Sequence, residues 1–310
     1  MNTRTVLILG VTASGKGQLA FNLAESLGAE IISVDSMKVY RRMDIGTAKA
    51  PKEARKHIKY HLIDVVEPSE SFSVAMFLDL AHKAINEIKS RNKPIIAVGG
   101  TSLYMKALLY GLFEGPGTDE QLRSELRARA QAEGLLQLYN ELTKVDPVAA
   151  DRINPNDAKR IIRALEVYKI TGEPISSFQK QFATEKPLHD WTIIGLRRQK
   201  TEENKRISAR VRKMLAAGLI NEVKSLLAEE KPLSPQARCA IGYAEIIDYL
   251  NGQTNLQEAT ELIKKNTRRL AKSQRTWFKT FDNVNWLDIQ PEEPRKSILE
   301  RTEKLTANGT

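Results

Sequence analysis

The sequence predicts an α/β fold: a P-loop NTPase-like parallel sheet flanked by helices, with an α-helical insertion domain. Three observations carry this. An apolar run, Thr5–Leu9, leads into Gly10-Val11-Thr12-Ala13-Ser14-Gly15-Lys16-Gly17, and a helical pattern runs on from Lys16 to Leu27. Further short apolar runs, Glu30–Val34 and Pro94–Val98, alternate with helical periodicity over residues 4–115, as in a parallel sheet buried on both faces. From Pro116 to Asp190 strand patterns stop and only helical ones remain.

The glycine loop between the first strand and the first helix is the most informative element. Glycines at its first and sixth positions let the backbone curl so that several N–H groups point inward. The helix N-terminus behind them adds the positive end of a dipole, and Lys16 adds a full charge. Seven of the eight positions of G-x-x-x-x-G-K-[ST] match. The eighth is Gly17, where a Ser or Thr hydroxyl would ligate Mg²⁺. The loop therefore predicts a polyphosphate site rather than Mg-ATP specifically. A glycine turn without a ligand is the plainer alternative.

The remaining elements follow in order. Val74–Lys89 is helical, with Phe77, Leu80, Ala81, Ala84, Ile85 and Ile88 on one face. Gly99-Gly100-Thr101 ends a strand and turns into a helix, Leu103–Tyr110. Ligands of doubly wound sheets sit at the carboxyl ends of strands, so residues 10–17, the stretch from Asp35, and Gly99–Thr101 are candidate site segments. The insertion, 116–190, begins at Gly115-Pro116-Gly117 and holds helices at Asp119–Glu133, Leu135–Leu142 and Asn156–Tyr168. Asn156 suits an N-cap there, and Asp157 the first turn. Gly172-Glu173-Pro174 and Glu185-Lys186-Pro187 mark boundaries, and Trp191–Leu196 returns as a strand able to rejoin the sheet. A helix starts at Thr201, carries Ile207, Val211, Met214 and Leu215, and is interrupted at Gly218. The clearest helix runs from Gln257 to Phe281. Ile263, Thr267, Leu270, Gln274, Trp277 and Phe281 share one face, and Lys265, Arg268, Lys272, Arg275 and Lys279 another. The polar stretch 291–310 reads as a frayed tail. The domain plan is thus a core from 1–115 and 191–290 with the insertion between.

Charge and composition narrow the function. The 310 residues carry a formal net charge of +10, a prior for an anionic partner. From Trp191 to Phe281 there are 18 Lys/Arg against 9 Asp/Glu, whereas Pro116 to Asp190 holds 11 against 12. The excess lies late in the chain and suggests a surface for a polyanion larger than a diphosphate, although a solvated basic helix face is the plainer reading. A lone Cys239 excludes an internal disulfide and a cysteine zinc site. No run spans a bilayer or reads as a signal peptide, which suits the cytoplasm. Nothing requires more than a monomer.

Several residues could do chemistry. Asp35-Ser36 follows a buried strand, and Asp35 could be a Mg²⁺ ligand, an N-cap or a general base. Thr101 could reach a phosphate or substrate, or cap its helix. Lys159 and Arg163 share a helix face with Arg160 beside them, and a solvated face is the alternative. His57, His61, His82 and His189 show no metal-ligand spacing and read as structural or surface residues.

These stretches carry a resemblance. Residues 4–287 resemble the tRNA dimethylallyltransferase (tRNA isopentenyltransferase) family. The shared segments are Gly-Val-Thr-Ala-Ser-Gly-Lys (10–16), Asp-Ser-Met-Lys-Val-Tyr-Arg (35–41), Asp-Ile-Gly-Thr-Ala-Lys (44–49), His-Leu-Ile-Asp (61–64) and Val-Gly-Gly-Thr-Ser-Leu-Tyr (98–104). Arg-Ala-Leu-Glu-Val-Tyr (163–168), Ile-Gly-Tyr-Ala-Glu (241–245) and Gln-Arg-Thr-Trp-Phe (274–278) follow in the same order. The resemblance implies transfer of a dimethylallyl group from dimethylallyl diphosphate to N6 of the adenosine directly 3′ of the tRNA anticodon. It implies that Gly10, Val11, Thr12, Ala13, Ser14, Gly15, Lys16 and Gly17, with Arg210, hold the diphosphate. Asp35 is then the general base and Thr101 acts at the reaction centre. Asp35, Ser36, Met37, Lys38, Thr101, Arg123, Lys159, Arg160, Ile161, Ile162 and Arg163 become contacts to the anticodon stem-loop. A base flipped out of the stack is expected. Mg²⁺ is the implied cofactor, with no ligand set assigned, because Gly17 stands where the family carries Ser or Thr. Val11 stands for a common Pro, Lys38 for a common Gln, and Lys200 and Ser273 for expected arginines.

Two other functions compete. A P-loop kinase for a small metabolite shares the fold and Lys16, but lacks the hydroxyl at 17 and has no use for the basic C-terminal half. A non-catalytic RNA-binding protein would keep the fold and lose the chemistry through Gly17.

Overall fold

The computed structural model describes residues 4–112, 115–178, 188 and 190–307. The chain divides into two compact units, Met1–Leu109 with His189–Thr310, and Tyr110–Leu188. Glu185-Lys186-Pro187 and His189 lie outside the described residues.

In the first unit β1 (Thr5–Gly10), β2 (Glu30–Val34), β3 (Tyr60–His61), β4 (Ile95–Gly99), β5 (Thr192–Arg197) and β6 (Asn285–Asp288) form one sheet, ordered β3-β2-β4-β1-β5-β6. Every pairing is parallel. β1, β2 and β4 are buried along their whole lengths, so they read as continuous apolar runs rather than alternating ones. Ile8 pairs with Val98 on one side and Ile194 on the other. The four strands legible in the sequence are present, each within one residue of its expected bounds. β3 and β6 were not legible: they are edge strands of two and four residues, the second with polar ends.

The helices are α1 (Lys16–Leu27), α2 (Lys52–His57), α3 (Val74–Ser90) and α4 (Ser102–Tyr110), then α5 (Glu120–Ala132), α6 (Leu135–Val145), α7 (Pro147–Arg152), α8 (Ala158–Thr171) and α9 (Ile175–Phe178). Back in the first unit come α10 (Lys200–Ala216), α11 (Leu219–Leu227), α12 (Pro235–Arg238), α13 (Tyr243–Leu250), α14 (Leu256–Phe278) and α15 (Arg295–Ala307). No helix among the described residues is long and apolar enough to cross a membrane.

One apolar core joins Val6, Ile8, Leu23, Ile31, Ile96 and Ile194 of the sheet and α1 to Ile298 of α15. The frayed tail expected at 291–310 is therefore corrected for residues 295–307. α15 buries Ile298, Thr302 and Thr306 and packs on α1. The Thr302 hydroxyl donates to the Ile298 carbonyl at 2.7 Å, so a polar residue is buried without leaving its hydroxyl unsatisfied, and hydropathy alone does not reveal the face.

Among its described residues the second unit has helices and no strand, packed around Leu126, Leu138, Leu142, Ile161 and Leu165. Asp157, not Asn156, caps α8: its carboxylate accepts from the Arg160 amide at 3.2 Å. Glu166 on α8 is fully buried. Its carboxylate accepts from the Asp119 amide at 2.8 Å and pairs with Arg123 at 2.9 Å and Arg163 at 2.6 Å. Removing one partner of such a buried ion network costs about 3–5 kcal/mol, so both arginines hold the unit together.

Candidate active site

β2, β4 and β1 are adjacent in the sheet, so the segments leaving their carboxyl ends converge. They line a cleft of about 1400 Å³ that includes Thr12, Lys16, Asp35, Thr101 and Arg210. This is the crevice expected where the strand order reverses. Gly99 is required by the convergence. A Cβ there would fall 1.8 Å from the Val34 carbonyl oxygen at the end of β2.

The phosphate loop closes on itself and enters α1. The Ser14 amide donates to the Val11 carbonyl at 3.1 Å, and the Gln18 and Leu19 amides to the Gly15 carbonyl at 3.1 Å. Gly15 precedes the helix at φ 102°, in the left-handed region that favours glycine. Lys16 Nζ donates to the Val11 carbonyl at 3.2 Å. Three arginines grip the loop. Arg198 Nε donates to the Ser14 carbonyl at 2.9 Å, Arg206 Nε to the Ala13 carbonyl at 2.8 Å, and Arg210 Nη1 to the Thr12 hydroxyl at 2.9 Å. Arg206 and Arg210 lie on α10, Arg198 just after β5.

Asp35 follows β2. Its Oδ1 accepts from the Met37 amide at 2.9 Å and the Lys38 amide at 3.2 Å, so the capping alternative is realised in a turn rather than in a helix. Oδ2 is used by neither bond. The Thr101 hydroxyl accepts from the Ser36 amide at 3.0 Å. It is thus turned to the Asp35 loop, which sets Thr101 beside the carboxylate. That loop is anchored from α11: Glu222 accepts from the Asp44, Ile45 and Gly46 amides at 3.0, 2.7 and 3.1 Å, and from the Tyr243 hydroxyl at 2.6 Å.

The cleft is strongly cationic. Among the described residues lining it, Lys16, Lys38, Arg206, Arg210, Lys213 and Arg295 stand against one lining carboxylate, Asp35, while a seventh cation, Lys49, is paired with Asp44 and Asp64 outside that set. Burial pushes the Lys16 ammonium down to about 7, helped by the charges of Lys38 and Arg210 and opposed by Asp35. Burial also lowers Lys38 and Arg210. A buried site whose cations repel one another is built to be completed by an anion.

Mg²⁺ fits this donor set only in one way. Gly17 offers no hydroxyl, and a Cβ built on it meets nothing within 4 Å. No group of three His, Cys, Asp or Glu among the described residues could hold a metal. Asp35 is the carboxylate at hand, which suits an ion that keeps its waters and binds through one carboxylate and substrate phosphates.

The sequence-derived RNA contacts divide. Ser36, Met37 and Lys38 line the cleft with Asp35 and Thr101. In the second unit Lys159 and Arg160 are exposed. Ile161 and Ile162 are 0% and 8% exposed, because α8 turns that face into the unit's core. Arg123 and Arg163 both pair with buried Glu166, so they belong to an ion network around a buried carboxylate. On α14, Lys265, Arg268 and Lys272 are exposed, as is Lys279 just past its end, while Arg275 pairs with buried Glu203. α14 ends at Phe278. Leu270 is 40% exposed and lines the cleft with Thr267 and Trp277, so part of the expected apolar stripe is cleft wall.

Sequence reasoning missed four residues that shape the site: Arg198, Arg206, Glu222 and Gln274. Gln274 carried a signal, a polar side chain on the apolar face of its helix. The other three sit among ordinary helix and loop charges, with nothing in the spacing to single them out.

Comparison with known proteins agrees with this geometry. The family described as IPP transferase matches residues 38–281. A tRNA dimethylallyltransferase of Geobacter metallireducens is 45% identical over 286 residues, 92% of this chain and 93% of its own. The crystal structure of the tRNA isopentenylpyrophosphate transferase of Bacillus halodurans superposes with a TM-score of 0.71 at 40% identity, covering 99% of this chain and 98% of that one. A eukaryotic dimethylallyltransferase described as acting on tRNA gives a TM-score of 0.78 at 27% identity, covering 99% of this chain and 80% of that one.

Proposed function

The chain belongs to the tRNA dimethylallyltransferase family, and we propose from that premise that it transfers a dimethylallyl group from dimethylallyl diphosphate to N6 of the adenosine 3′ of the anticodon in tRNA. The observation that carries the chemistry is the lone lining carboxylate, Asp35, in a cleft with six cations besides the paired Lys49, beside the phosphate loop. An allylic diphosphate ionises when charge building on its leaving oxygens is stabilised. The inward N–H groups of residues 10–17 do this, with Lys16 and Arg210.

N6 attacks C1 of the dimethylallyl group as the C1–O bond breaks and diphosphate leaves. The proton displaced from N6 passes to Asp35. The Met37 and Lys38 amides hold Oδ1, so the acceptor stays oriented. Thr101, beside Asp35, supplies a hydroxyl at the reaction centre. Asp35, through water, and the substrate phosphates would hold Mg²⁺, which would supply charge screening at the leaving oxygens.

The division of labour follows the charges. The first unit holds the donor and, through the exposed basic face of α14, grips RNA phosphates. Lys159 and Arg160 of the helical unit add contacts to the anticodon stem-loop. The scheme needs one chain, and it would work in the cytoplasm with its tRNA. The test is transfer of label from dimethylallyl diphosphate to total tRNA, with Mg²⁺ varied and ATP turnover followed in parallel. Label in tRNA without ATP use is expected. ATP turnover without label would mean a kinase, and tight tRNA binding with neither activity a non-catalytic RNA-binding protein.

A further inference from the structure

We propose that Gln274 is a positioning residue that locks the phosphate loop to the turn carrying Thr101, so that the diphosphate cradle and the reacting groups form one assembly. The inference rests on the function proposed above. The side chain is 6% exposed. Its Oε1 accepts from the Thr12 amide at 2.8 Å, and its Nε2 donates to the Gly100 carbonyl at 2.8 Å. One amide thus joins the loop after β1 to the loop after β4.

Two further observations point to Gln274 rather than to general packing. Position 274 lies on the buried face of α14 with Ile263, Ala271 and Phe278, where an apolar residue would pack without needing partners. A carboxamide there must find both a donor and an acceptor, and it finds them only with both loops in place. Gly100 is cut to fit it, since a Cβ at that position would stand 2.5 Å from Nε2. Thr12 is therefore held twice, by Gln274 at its amide and by Arg210 at its hydroxyl. The Gly100 carbonyl fixes the residue before Thr101, whose hydroxyl in turn meets Ser36 beside Asp35. Both polar ends of Gln274 are spent on the two loops. It acts by keeping leaving-group and proton-acceptor sites in register.

The test compares the native chain with Gln274→Met, Gln274→Glu and Gly100→Ala in steady-state prenyl transfer, with thermal unfolding of each. Gln274→Met keeps the volume and removes both bonds. Misregister of reacting groups lowers kcat by at least about tenfold, with KM for tRNA within about threefold of native. Gln274→Glu carries the sharper signature. Its carboxylate still accepts from Thr12 but cannot donate to Gly100, whereas the protonated acid can. Its kcat relative to native should therefore rise as pH is lowered. Gly100→Ala displaces the amide and should reproduce Gln274→Met, and the double variant should be no worse than either single one. Native kcat in Gln274→Met would overturn the proposal. So would a pH-independent Gln274→Glu ratio accompanied only by a lower Tm. Absence of transfer by the native chain would instead overturn the proposed function.

Discussion

Binding of dimethylallyl diphosphate in the absence of tRNA and Mg²⁺ should draw protons from solution, and Lys16 sets how many. Burial, with Lys38 and Arg210 nearby, holds its ammonium at about 7 rather than 10.5. At pH 8 about one free site in ten then carries the Lys16 proton. A bound diphosphate pulls the group back toward its ordinary range, so each binding event takes up about 0.9 proton. The ligand contributes little of its own, because phosphate groups of this kind lose their last proton near about 6. Affinity should fall about tenfold, or about 1.4 kcal/mol, for each pH unit above about 7 until the bound lysine itself titrates. The sign for folding is the opposite. An unfolded chain keeps this lysine protonated up to 10.5 while the native site sheds the proton near 7, so this group adds stability as pH rises between them. Calorimetric titration at pH 8 in two buffers of different ionisation enthalpy counts the protons directly. Lys16→Arg, charged at every accessible pH, should bind with clearly less uptake than the native chain. Equal heats in the two buffers for the native chain would refute the reasoning, since they would mean that Lys16 is already protonated in the empty cleft.

Four other outcomes are expected. Asp35→Asn keeps the acceptor used by the Met37 and Lys38 amides, so tRNA affinity should stay within about twofold while transfer falls by about 10²–10⁴; a loss of affinity matching the loss of rate would remove the base assignment. Replacing Lys265, Arg268 and Lys272 by Gln should flatten the dependence of log affinity on log salt by about 0.7–0.9 for each phosphate that these side chains neutralise, and an unchanged slope would return that face to simple solvation. Gly17→Thr meets no atom within 4 Å of its Cβ, so it should leave Tm unchanged and lower the Mg²⁺ concentration giving half-maximal transfer; an unaltered Mg²⁺ dependence would show that position 17 has no part in metal use. Burial works to raise the Glu30 carboxyl, yet hydrogen bonds from Arg91 and His61 hold it at about 2 instead of 4.5. That difference contributes about 3 kcal/mol, present above about 4.5 and lost as pH falls toward about 2. Glu30→Gln should remove this part of the acid loss in urea denaturation, and native and variant curves of equal slope would dismiss it.

What the sequence made legible is what short-range physics controls. The phosphate loop needs a strand, a curl and a helix in immediate succession, so Gly10–Lys16 was readable with its neighbours. Buried parallel strands are apolar on both faces, so β1, β2, β4 and β5 announced themselves. What escaped depends on partners distant in the chain. Glu222 is an ordinary helix acid until the amides of Asp44, Ile45 and Gly46 meet it.

The surroundings of Arg123, Arg163, Ile161 and Ile162 show the same limit from the other side. Arg163 has a visible neighbour in Glu166 three residues on, a spacing that usually means a solvated pair worth a few tenths of a kcal/mol. Arg123 comes from another helix, and together the two arginines enclose a fully buried carboxylate. Burial changes the value of the interaction by an order of magnitude and gives both arginines a part in the scaffold. Ile161 and Ile162 follow, since the face of α8 beside that network is core. Gln274 is the converse. A polar residue on an apolar helical face was visible in the sequence, yet its meaning lies in Thr12 and Gly100, which only the folded sheet brings within reach. A buried amide with both its bonds made to loop backbone is weak evidence for packing and strong evidence for geometry that the reaction uses, because an apolar side chain would have packed as well and left the two loops free of each other.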